Sequence, residues 1–243
     1  MSWTKCEIFC VYPHDRTTFF LDRIVSFLKN NLGDKFHCHK VKLNEQSHTD
    51  CLRTLNTLEN RIIIFLGHGR SDKLYGACGD QGENLISIGA EAIEDNTQYF
   101  SKPDFITISN ANVLARNIVF ALSCDSNALK KSIGDSAIKN GVYSFVGFGD
   151  IQTDFEDDKE LTRREIAIFK GIIIKIVKKS LLYSLQNKFT VEKLVDTIKI
   201  MTNKEIYKLL TIYKGIKYRS RIAKHLYSFK DEIEIFGDKY IQL

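Results

Sequence analysis

Two short apolar runs constrain this chain more than any other feature. Ile62-Ile-Ile-Phe-Leu66 and Ile118-Val-Phe-Ala-Leu122 have no polar position. A strand with one wet face alternates polar and apolar residues, whereas an unbroken run must be covered on both faces, as in a parallel sheet between helical layers. Glu7-Ile-Phe-Cys-Val-Tyr12, ended by Pro13, reads as another strand, as do residues 38–43 and Tyr143-Ser-Phe-Val-Gly147. Residues 17–32 place Phe19, Phe20, Ile24, Phe27 and Leu28 at helical spacing, with Gly33 as the stop. Residues 47–58 read as a helix capped by Ser47 or Thr49, and residues 126–140 as a helix opening just after Cys124. Strands alternating with helices predict βαβ units, and so an α/β fold: a three-layer α/β/α sandwich with a mostly parallel sheet. Residues 158–227 are helical throughout, with Thr190 as an N-cap, and Glu232-Ile-Glu-Ile-Phe236 reads as a last strand.

Composition narrows the class. The 243 residues are 44% hydrophobic and 27% charged, without a low-complexity tract or an evident linker, which predicts one domain over residues 1–243. Met1 to Lys5 lead into a short strand-like run rather than a long apolar segment, which argues against a secretory signal. Lys175, Lys178 and Lys179 interrupt the apolar run after Gly171, so it reads as a buried amphipathic helix rather than a membrane span. Six cysteines with no CxxC pair and no framework spacing fit reduced thiols in a cytoplasmic protein. Residues 159–230 hold 18 basic and 5 acidic side chains, net +13, leaving −8 for the rest. Such a block is either a helical flank with lysines on its wet faces or a docking surface; without an aromatic-basic motif, direct nucleic-acid binding is not expected.

The chemistry sits where two of the runs end. Ile62-Ile-Ile-Phe-Leu-Gly-His68-Gly69 ends in a histidine between glycines, and Ile118-Val-Phe-Ala-Leu-Ser-Cys124-Asp-Ser126 in a cysteine. Ligands of open α/β sheets bind beyond the carboxyl ends of the strands. If the two strands are neighbours, about 4.8 Å apart, imidazole and thiol meet across a substrate. The thiolate is the nucleophile, and a helix N-terminus after Cys124 would favour it. His68 would take the thiol proton or protonate the leaving amine. The N–H groups of Gly69 and Cys124 would form the oxyanion hole.

These motifs resemble the caspase-like clan of cysteine peptidases, closest to its CHAT, gingipain and separase-type domains. Asn140-Gly-Val-Tyr-Ser-Phe-Val-Gly-Phe-Gly149 is similar to the strand that follows the catalytic-cysteine helix. Ile235-Phe-Gly-Asp-Lys-Tyr-Ile-Gln-Leu243 is similar to the closing Gly-Asp-Pro segment, with Lys239 where proline is usual. The resemblance implies a caspase-like sheet, an endopeptidase working through a His68/Cys124 dyad without a third residue, and no cofactor or metal. It also implies a protein or peptide substrate and a place beside sensor proteins in bacterial antiviral defence. An Asp-rich segment in separases helps hold a basic residue before the cleaved bond. Asp150, Asp154 and Asp157 are the matching anions here, unless that loop is simply solvated. A peptidase needs restraint, so a regulatory protein partner is expected on the basic helices.

Two rivals stay open. The opening Ile8-Phe-Cys-Val-Tyr-Pro-His-Asp15 looks like the start of a TIR domain, some of which hydrolyse NAD, or of another nucleotide-binding domain; that reading gives His68 and Cys124 no task. A caspase-like module that has lost activity and serves as an adaptor is the other. Cys78, in Gly76-Ala-Cys-Gly-Asp80, is a competing nucleophile with no buried strand to position it. His37 and His39 flank Cys38 on a strand, so the histidines share one face; they read as surface residues rather than metal ligands.

Overall fold

A computed structural model describes residues 7–79, 102–151 and 162–243. The expected architecture is present. Six strands form one sheet in the order β2-β1-β3-β7-β8-β9: β1 (Ile8–Pro13), β2 (Phe36–Val41), β3 (Ile62–Leu66), β7 (Ile118–Leu122), β8 (Ser144–Gly147) and β9 (Glu234–Gly237). All neighbours are parallel except β8 and β9. A small antiparallel sheet of β4 (Gly69–Arg70), β5 (Lys73–Tyr75) and β6 (Asp104–Thr107) stands beside it.

Strand pleating sorts the side chains into two cores. Ile8, Cys10 and Tyr12, Ile62, Ile64 and Leu66, and Ile118, Phe120 and Leu122 face one side. There they meet helices α1 (Asp22–Leu32), α4 (Arg163–Gln186), α5 (Val191–Thr211) and α6 (Arg219–Asp231). The alternate residues Phe9, Val11, Ile63, Phe65, Val119 and Ala121 face α2 (Glu45–Leu55), α3 (Ile133–Lys139) and the small sheet. Three layers result. The three basic helices lie in sequence between β8 and β9 and bury their apolar stripes in the first core. Glu205 of α5 is held there by Lys175 of α4 at 2.8 Å and Lys208 at 3.1 Å. Burial raises the Glu205 pKa, but the two ammonium groups outweigh it and hold the carboxyl below its ordinary value.

Local signals were read well where one residue decides them. Gly33 closes α1 with φ 55°, and Thr190 caps α5 through the N–H of Lys193. Two starts are corrected. The segment from Arg16 to Leu21 is a 3₁₀ turn, and α1 begins only at Asp22. Helix α2 is capped by Asn44, whose side chain accepts from the N–H of Ser47. His37 and His39 do share a face, but they are half-buried against the ring of Phe9 rather than on the open surface. Burial lowers the pKa of both.

Phe120, 1% exposed in the middle strand pair, stacks edge-on against Phe148 at 5.2 Å. Phe120→Ala is expected to lower unfolding stability by about 3–5 kcal/mol in a denaturant titration. A loss below about 1 kcal/mol would show that this core is not packed as described.

Candidate functional site

Strands β3 and β7 are direct neighbours, paired in register to Leu66↔Leu122, and the N–H of Gly67 still bonds the carbonyl of Leu122. His68 and Cys124 each stand two residues beyond that last pair, so both leave the sheet at the same level. They line one cleft together with Thr18, Phe20, Leu21, Gly67, Ser123, Ile151 and Ile173. Glycine at position 69 permits this approach. A Cβ there would lie 2.8 Å from Ser123 Oγ and 3.1 Å from the Cys124 carbonyl oxygen. The hairpin also sets the direction of the Gly69 N–H. His68 O accepts from Tyr75 N, and Arg70 pairs with Lys73. Bonded and non-bonded pairs alternate along an antiparallel ladder, so Gly69↔Leu74 is a non-bonded pair and the Gly69 N–H points away from β5.

Cys124 does not precede a helix. Helix α3 begins at Ile133, with Ser132 as its N-cap; residues 124–127 form a turn. Ser126, read as the helix start, is buried and accepts from the N–H of Phe148 at 2.9 Å while donating to the carbonyl of Ser123 at 2.9 Å. Asp125 is left-handed at φ 54°, and its N–H bonds the carbonyl of Gly149 at 3.2 Å. A helix dipole therefore gives the thiol no help. The Cys124 Sγ instead donates to the carbonyl oxygen of Ile151 at 3.6 Å. Neutral S–H is the form that makes this bond. The cleft has a volume of only about 20 Å³, room for roughly one water.

A third residue joins the pair. Strand β1 lies on the other side of β3, and its carboxyl end carries Asp15. The Asp15 carboxylate caps the 3₁₀ turn, accepting at Oδ1 from the N–H of Thr17 at 2.8 Å and from its hydroxyl at 2.6 Å. Thr17 Oγ1 is 2.6 Å from His68 Nε2, and Asp15 Oδ2 is 3.4 Å from the same nitrogen. An ionised carboxylate only accepts, so the single hydroxyl proton of Thr17 goes to Asp15, and Thr17 accepts from Nε2–H. That fixes the tautomer of neutral His68 and leaves Nδ1 as its basic nitrogen. Burial raises the Asp15 pKa, but the hydrogen bond and charge of His68, with the two bonds from Thr17, outweigh it and hold the carboxyl below its usual range.

The sequence signal for Asp15 was an Asp-x-Thr capping pattern directly after a buried strand. Ser123 was also passed over. The residue is 1% exposed and lines the cleft, and its buried Oγ has no hydrogen-bond partner among the described residues. Of the acidic trio, Asp150 is exposed one residue from the cleft-lining Ile151, and its N–H bonds Glu232 Oε2 at 3.3 Å. Asp154 and Asp157 lie outside the described residues. Cys78 is buried and does not line the cleft, its N–H bonded to the carbonyl of His14 at 2.6 Å. Among the described residues, no three His, Cys, Asp or Glu side chains cluster as metal ligands. No family model matches the chain, and no curated protein matches it.

The depressed Asp15 pKa gives a pH signature. The stabilisation is complete above the ordinary carboxylate value and fades as pH falls through the lower folded value. Asp15→Asn is therefore expected to cost about 2 kcal/mol at pH 7, and the gap from wild type should begin to narrow below about pH 4 and close only at lower pH. Equal destabilisation at pH 7 and pH 2 in urea titrations would contradict the charged pairing.

Proposed function

We propose that this chain is a cysteine endopeptidase in which Cys124 is the nucleophile, His68 the general base and acid, and Asp15 with Thr17 the group that orients His68. One observation carries the reading: the carboxyl ends of three adjacent parallel strands bring orienter, base and thiol to one edge, in that order. Nucleophile, base and base-orienter in sequence is the arrangement that covalent acyl transfer needs. His68 Nδ1 takes the thiol proton, and the sulfur attacks the scissile carbonyl carbon. The N–H groups of Gly69 and Cys124 receive the oxyanion. The C–N bond then breaks, the amine leaves with the proton from His68, and water hydrolyses the thioester with the same base.

The resemblance to the caspase-like clan supports the same reading from the motifs, and a cytoplasmic place in a bacterial defence pathway follows from it. The narrow cleft and the bond of the thiol to the Ile151 carbonyl are features of a resting enzyme, so activation moves the segment from Phe148 to Ile151. The exposed face of α5 supports a docking site for the activator there. Opposite its buried stripe, Ile200 (67% exposed), Tyr207 (63%) and Leu210 (40%) recur at helical spacing beside Lys199 and Lys204. An acidic, amphipathic segment of a partner protein complements that face. Asp150 with Glu232 beside the cleft supports a preference for Arg or Lys before the cleaved bond. The same closed cleft fits an inert adaptor, and one experiment separates the two.

Acyloxymethyl ketone peptides with Arg or Asp beside the warhead should distinguish them, with candidate partners present. The Arg probe is expected to label wild type and Cys78→Ala but not Cys124→Ala. Absence of labelling under every condition favours the adaptor, and a preference for the Asp probe removes the basic specificity.

A further inference from the structure

A second cavity opens at the same sheet edge, one strand further from the thiol. It lies beyond the carboxyl ends of β1 and β2, is lined by Tyr12, His14, Phe19, Asp22, Lys40, Val41 and Lys42, and has a volume of about 520 Å³. That is the size of a ligand site, whereas the cleft at Cys124 holds about one water. The 3₁₀ turn from Arg16 to Leu21 is the partition between them. Thr17 reaches His68 from it, Phe20 and Leu21 wall the catalytic cleft, and Phe19 walls the second cavity. Phe19 is 49% exposed for so large an apolar side chain, and its ring rests edge-on against His14 at 5.1 Å.

The order of the strands says which part of a substrate would reach this cavity. In thiol acyl transfer the base protonates the leaving amine, so the chain beyond the cleaved bond continues past the base, away from the nucleophile. Here nucleophile, base and orienter lie on β7, β3 and β1 in turn, and the next strand is β2. A substrate laid across that edge carries its leaving side over β1 and β2. The cavity chemistry is cationic. Asp22 is matched by Lys40 at 2.7 Å, which leaves the Lys42 ammonium as the charge in excess. The exposed ring of Phe19 supplies an apolar wall for the methylenes of a side chain that ends in a carboxylate.

We propose that this cavity is a leaving-side subsite that selects glutamate one or two residues after the cleaved bond, a specificity that rests on the peptidase reading above. Internally quenched peptides identical before the cleaved bond and carrying Glu, Gln or Lys after it test the assignment. With candidate activating partners present in every assay, wild type is expected to cleave the Glu peptide with kcat/KM about fivefold above the Lys peptide, the scale of one partly exposed ion pair. Lys42→Glu should invert that ratio, and Phe19→Ala should weaken the Glu preference. A short substrate with only a fluorogenic amine after the cleaved bond is expected to be cleaved equally by wild type and Lys42→Glu, which shows that the variant is folded. Cleavage of the short substrate with an unchanged Glu-to-Lys ratio in Lys42→Glu overturns the subsite alone. No cleavage of any substrate and no labelling of Cys124 overturns the peptidase reading, and the subsite with it.

Discussion

The parallel, in-register pairing of β1, β3 and β7 is the constraint on which the rest depends. Because Val11 pairs with Phe65 and Leu66 with Leu122, the three strands stop at nearly one level. Whatever residue follows each strand is then within reach of its neighbour's, about 4.8 Å away. The core residues impose this register, since a slip by one would exchange every side chain between the two cores. Packing far from the chemistry thus aligns Asp15, His68 and Cys124.

Small residues complete the alignment. Gly69 lets the histidine loop close onto Ser123. Gly147 lies against the backbone of Ser126, where a Cβ would collide with the carbonyl carbon at 2.6 Å. Ser126 ties the cysteine turn to Phe148, so the turn and the segment that holds the thiol proton share one hydrogen-bond network. This coupling gives a physical route for control. A partner that shifts the end of β8 would remove the Ile151 carbonyl from the thiol and widen the cleft in one movement.

Much of the fold was legible because each strand signal is self-contained. Ile62 to Leu66 and Ile118 to Leu122 can satisfy their side chains only between two helical layers, whatever the rest of the chain does. Helix starts were less legible, because a serine caps a helix only if its hydroxyl is not needed elsewhere. Ser126 stands where the sequence places a helix start, but its oxygen accepts from the N–H of Phe148, and Ser132 does the capping. The candidate pair His68 and Cys124 was visible as two strands ending in the same way. Asp15 was not, because its pattern with Thr17 is that of any N-cap. Its second partner, His68, is brought close only by the crossing of β3 to the far side of β1 from β2.

The central claim is that Asp15, His68 and Cys124 act as one unit, and a double-mutant cycle tests it most directly. The second-order rate of Cys124 modification by an Arg acyloxymethyl ketone would be measured, with candidate activating partners present, for wild type, Asp15→Asn, His68→Ala and the double variant. The account predicts that Asp15→Asn slows the reaction by about tenfold or more in the wild-type background and has no further effect once His68 is gone. Equal slowing in both backgrounds would mean that Asp15 acts on the fold alone, and the three residues would not be a catalytic unit.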